Sequence, residues 1–114
     1  MMKPMSGLKF AVAAAFATVL ASGVATAADL AAAKKKVQEV CAACHGLNGI
    51  SPVAEFPKLA GQYPDYMAKT LRDYRSGARK NAVMAGFAQQ LTDKDIENLS
   101  AYYAAQPSVL SSRY

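Results

Sequence analysis

Cys41, Cys44 and His45 fall within five consecutive positions, and they are all the cysteines and the only histidine of the chain. Two thiols and an imidazole at this spacing could serve four chemistries. A dithiol redox centre sits at the mouth of a sheet-containing fold, and the chain has no period-two run of β-branched residues to supply strands. A structural zinc site needs four ligands, and no further Cys or His exists. A plain disulfide beside a core histidine gives no reason for His45 to follow Cys44 directly. Covalent haem attachment accounts for all three residues, because Cys-x-x-Cys-His is its signature. Two thiols one helical turn apart reach the two vinyl groups along one porphyrin edge, and the next residue turns its imidazole toward the iron.

A low-spin haem for electron transfer fills its second axial position, and methionine opposite histidine raises the potential. Past the N-terminal segment the candidates are Met67 and Met84. Met67 recurs at core spacing with Leu71 and Tyr74, which reads as packing. Met84 follows the break at Gly77 and is placed in a link between helices, so it is the expected sixth ligand, with lysine or open coordination as the alternatives. The 38 residues between His45 and Met84 are enough to pass the porphyrin edge and return on its other face.

These residues need elements to position them. Residues 1–28 carry two lysines, a short apolar middle and Ala25-Thr26-Ala27, the pattern of a cleaved secretory signal peptide rather than of a membrane span. Cleavage is expected after Ala27 or Ala28, leaving a domain over residues 29–114. A domain of this size has a marginal apolar core, and a covalently held macrocycle would complete it. Losing Lys3 and Lys9 turns the formal charge of +5 into +3. With scattered basic residues and no phosphate-binding motif, that excess does not point to nucleic acid; it suits an acidic protein partner.

The remaining pattern is all-α. Asp29 caps a helix whose apolar face is Leu30, Ala33, Val37, Val40 and Cys44. Residues 46–62, rich in Gly, Pro and Asn, form a loop. Pro64 opens a second helix that stops at Gly77, and residues 78–90 give an irregular or briefly helical link. Thr92 and Asp95 make a capping box for a last helix with Ile96, Leu99, Tyr102 and Tyr103 inward, ending at Gln106-Pro107. The architecture is three main helices joined by loops long enough to wrap around something.

The stretches Cys-Ala-Ala-Cys-His-Gly, Phe-Pro-Lys-Leu-Ala-Gly-Gln, Gly-x-Arg and Leu-Thr-Asp-x-Asp-Ile resemble a small bacterial class I cytochrome c of the c-553 type, similar also to one half of a di-haem cytochrome c-4. The resemblance covers nearly all of residues 29–114. It implies the class I cytochrome c fold around one covalent haem c, with Met84 as sixth ligand beside His45. It also implies that the Pro57 carbonyl accepts a hydrogen bond from the ligand's other ring nitrogen and that Leu59 packs on the ring. The chain departs from the pattern in having a single Cys-x-x-Cys-His, which excludes two haems on these residues, and in replacing the usual proline near the methionine by Ala85-Gly86.

The expected function is a soluble periplasmic carrier of one electron between redox proteins, not an enzyme. The alternative is a haem subunit of a periplasmic dehydrogenase complex such as a flavocytochrome. Arg72, Arg75, Arg79, Tyr63, Tyr66 and Tyr74 are candidates for propionate contacts, Arg72 and Arg75 reading better as a charged helix face. Lys34 to Lys36, Lys58 and Lys80 are candidates for a docking rim.

Overall fold

The computed structural model describes residues 2–4, 7, 11–18 and 27–108. Half of the expected signal segment, including Ala25 and Thr26 of its cleavage site, and the tail from residue 109 lie outside the described residues.

Asp29 begins α1 (Leu30–Lys36) by accepting a hydrogen bond from the Ala32 N–H at 2.9 Å. A π turn over Val37–Cys41 continues it, followed by α2 (Ala42–His45). The Ala42 N–H bonds to the Val37 carbonyl five residues back. That wider turn corrects the apolar face expected for a straight helix. Ala33 and Val37 are buried as that face requires, while past the wider turn Cys41 and Ala42 pack against the core; Leu30, at the start of α1, is 49% exposed.

Residues 46–63 contain turns and bends without a helix or strand. Pro64 then starts α3 (Pro64–Ser76), where its missing N–H costs nothing, and Gly77 ends it in the left-handed conformation. The link beyond is more regular than its sequence suggests, because the Asn81 side chain caps a short helix, α4 (Ala82–Ala88). The last helix, α5 (Asp93–Ala104), opens on the expected capping box. Thr92 and Asp95 exchange side chain to backbone hydrogen bonds at 3.0 Å each. The Thr92 N–H holds the Asp95 carboxyl below its ordinary range.

Helix α5 is the hub: α1 and α3 both pack on it, and α4 packs on α3. Ile96, Leu99, Tyr102 and Tyr103 face inward against Ala33, Val37, Met67 and Leu91. Burying Ile96 alone removes an apolar side chain worth about 1.5–3 kcal/mol from water. Arg75 fastens α3 to the start of α5 by donating to the Leu91 carbonyl at 3.0 Å and to Asp93 at 2.5 Å. That ion pair and hydrogen bond agree with its reading as part of a charged helix face. No helix among the described residues is long and apolar enough to cross a membrane.

Candidate haem site

His45 ends α2, and Gly46 lets the chain leave the helix there, with a positive φ of 78°. A Cβ at Gly46 would meet the Ile50 carbonyl oxygen at 2.2 Å, so only glycine allows this turn. His45 is buried, and its Nδ1 lies 2.9 Å from the Pro57 carbonyl oxygen. With Nδ1–H donating to that oxygen, the neutral ring presents Nε2 as its lone-pair nitrogen.

The loop that delivers Pro57 is tied down at several points. The Gly49 carbonyl accepts from the Leu59 and Ala60 N–H groups at 2.8 and 3.1 Å. Gly49 has a φ of 79°, and a Cβ there would meet the Ala60 nitrogen at 2.6 Å and the Tyr103 ring at 2.9 Å. The Ser51 hydroxyl lies 3.0 Å from the Cys44 carbonyl oxygen and accepts from the Val53 N–H at 3.3 Å. Helix α5 reaches over the same segment: Tyr102 donates its hydroxyl to the Leu47 carbonyl at 2.8 Å, and Tyr103 donates to the Gly46 carbonyl at 3.2 Å. Sequence reasoning gave Tyr102 a packing role between helices and missed both hydroxyl bonds. The available signal was two adjacent tyrosines in one helix, whose rings point about 100° apart and so cannot serve one narrow apolar stripe.

Cys41 and Cys44 are free, half-buried thiols. Burial pushes the Cys41 thiol up to about 11, against the pull of Lys36. Met84 is half-buried within α4, and its N–H donates to the capping oxygen of Asn81 at 2.9 Å. The link that carries Met84 is thus helical rather than irregular: Asn81 starts a helix and fixes Met84 in its first turn. Met67 is buried in the core cluster, in keeping with packing. Leu59 is half-buried against that cluster.

Of the candidate propionate contacts, Arg79 donates to the Tyr66 hydroxyl at 3.4 Å and lies 5.0 Å above the Tyr74 ring. That hydrogen bond, then the guanidinium charge, holds the Tyr66 phenol below its ordinary range. Tyr63 is 79% exposed. Lys58 and Lys80 are exposed and form no ion pair among the described residues.

The residues present fit a haem c. Two unpaired thiols stand one turn apart on a helix, and the next residue is an imidazole whose Nδ1 is engaged and whose Nε2 makes no hydrogen bond among the described residues. Leu47, Ile50 and Val53 on the loop and Val83 and Phe87 on α4 carry exposed apolar surface suited to an apolar macrocycle.

A family model described as "Cytochrome c" matches residues 30–105. Cytochrome c4 of Pseudomonas aeruginosa is 44% identical over 85 residues, 75% of this chain and 42% of that protein. The cytochrome subunit of sulfide dehydrogenase of Chlorobaculum tepidum is 33% identical over 101 residues, 79% of this chain and 91% of that protein. The crystal structure of reduced recombinant cytochrome c4 from Pseudomonas stutzeri superposes with a TM-score of 0.65 at 41% identity, covering 71% of this chain and 47% of that one. The chain thus spans about half the length of the cytochrome c4 relatives it matches. A cytochrome c domain implies covalent haem c, which Cys41 and Cys44 of the Cys-x-x-Cys-His fit, and the helices take the class I fold seen in cytochrome c4. The chain belongs to the cytochrome c family.

Proposed function

We propose that residues 29–114 form a one-haem electron carrier, exported to the periplasm by the segment at residues 1–28, and that the chain is not itself an enzyme. The observation that carries this reading is the buried His45, held through Nδ1 by the Pro57 carbonyl, beside two free thiols in a chain with one Cys-x-x-Cys-His. Cys41 and Cys44 would hold the haem through thioethers, and His45 and Met84 would hold its iron. A haem bound there supplies one-electron exchange between ferric and ferrous iron. Pro57 fixes the orientation of the His45 ring and makes its imidazole a stronger donor, and Leu59 would pack on the haem. Denaturing mass analysis of the exported protein should give the chain cut after Ala27 or Ala28 plus one haem. Free thiols with no adduct overturn the reading.

The redox partners proposed are proteins with acidic docking surfaces, met by Lys58 and Lys80. Electron transfer to such a partner should slow moderately as ionic strength rises. Charge reversal at Lys58 or Lys80 should flatten that dependence more than reversal at Lys94, which is engaged with Glu97. Equal responses from all three would show that these lysines are only solvated surface.

A second reading, a haem subunit of a dehydrogenase complex, is favoured by the match along 91% of the sulfide dehydrogenase cytochrome subunit. Gel filtration of native extract separates the two: a carrier elutes alone, and a subunit elutes with its catalytic chain.

A further inference from the structure

We propose that Tyr102 and Tyr103 are positioning residues for His45, setting the strength of its Nδ1 hydrogen bond to Pro57 by clamping the two chain segments that carry the donor and the acceptor. This rests on the reading above, that His45 binds the haem iron.

The clamp has two jaws. On the donor side, the carbonyls immediately after His45, those of Gly46 and Leu47, are both taken by α5 hydroxyls, from Tyr103 at 3.2 Å and Tyr102 at 2.8 Å. On the acceptor side, the main-chain carbonyl of Tyr103 accepts from the Gly61 N–H at 3.0 Å, four residues past Pro57. Tyr103 therefore touches both segments with one residue, its hydroxyl on the His45 side and its backbone on the Pro57 side. The Gly49 carbonyl bridges the same segments through Leu59 and Ala60, and the Tyr103 ring lies where a Gly49 side chain would be.

Both tyrosines are in rigid helix and nearly out of water, at 9% and 2% exposure, with their rings edge to face at 5.4 Å. A buried hydroxyl in that setting holds a fixed direction, so the two bonds define where the chain goes after His45. Packing alone needs only the rings. The hydroxyls aimed at consecutive carbonyls beside the candidate ligand are what a positioning role requires.

The physical consequence runs through the imidazole. A carbonyl held firmly on Nδ1–H makes the ring a better donor at Nε2 and favours the ferric state. Loosening either jaw lengthens that bond and raises the midpoint potential.

The test uses the haem-loaded protein with Tyr102→Phe, Tyr103→Phe and the double substitution, which keep ring and volume and remove only hydroxyls. The readouts are the exchange rate of the His45 Nδ1 proton by NMR and the midpoint potential. Thr92→Ala is the control, since it weakens the far end of α5 without touching the loop. The proposal expects the Nδ1 proton to exchange about tenfold faster in the double variant, the factor that about 1.4 kcal/mol of lost hydrogen bonding produces, with a raised potential. Thr92→Ala should change neither. If the double variant does not fold, the single variants carry the same test with smaller shifts. Unchanged exchange and potential in the tyrosine variants, or equal changes in the control, overturn the proposal and leave the haem reading intact. A wild-type chain without haem overturns the reading itself, and with it the proposal.

Discussion

The two sides of the candidate haem site are built differently. His45 sits where loop and helix are cross-linked by long-range hydrogen bonds: to Pro57, from Tyr102 and Tyr103 to the two residues after it, and across Gly49 to Leu59 and Ala60. Met84 sits on α4, a helix of seven residues held by its Asn81 cap and by contact with α3, with Ala88 its buried residue. Its neighbours Val83 and Phe87 are 61% and 43% exposed. One side is fixed by the whole fold and the other by its own local helix. On the proposed reading, with His45 and Met84 as iron ligands, such an arrangement would keep histidine in place and make the methionine side the first to give way.

The comparison breaks most visibly at Gly49. Gly49→Ala puts a side chain into a left-handed conformation and against the Ala60 backbone, so it should cost about 2–5 kcal/mol, measured as a lower denaturant midpoint. A smaller loss would mean that the histidine side has slack the structure does not show. Next in size is Asn81→Ala, which removes the cap on the Met84 N–H. It should cost about 1 kcal/mol and lower the pH at which the methionine band of the ferric spectrum disappears, while His45 ligation persists. If histidine ligation is lost together with it, the two sides are not independent.

The smallest effect has the opposite sign. Gly86 lies inside α4, and a Cβ there would meet nothing within 4 Å. Gly86→Ala should therefore raise stability by about 0.5–1 kcal/mol, read from thermal unfolding. A loss would reveal a close approach to the outer face of α4.

How much of this was legible in the sequence divides along the same line. Local signals sufficed at four helix ends: Asp29, Pro64, Gly77 and the Thr92–Asp95 box each act within one turn, so residue type alone predicts them. The π turn at Val37–Cys41 was not legible, because it is set by how Cys41 and Ala42 pack against distant helices and no residue type encodes it. The link at residues 78–90, read as irregular or briefly helical, takes the helical form because Asn81 is a good N-cap, a signal the sequence reading did not use. The motif gave Cys41, Cys44 and His45 by spacing, and Pro57 and Leu59 came only through the family resemblance. The tyrosine hydroxyl bonds span more than fifty residues of sequence, and helical periodicity shows which way a ring points but not which carbonyl folds beneath it.

The central claim is a haem held by His45 from the cross-linked side and by Met84 from the α4 side. It is tested most directly by the ferric absorption spectra of Met84→Leu and Met67→Leu, read at the long-wavelength charge-transfer band that methionine ligation produces. The account predicts that the band vanishes in Met84→Leu and persists in Met67→Leu, whose side chain belongs to the core. A band that survives Met84→Leu, or one that is lost in Met67→Leu, contradicts it.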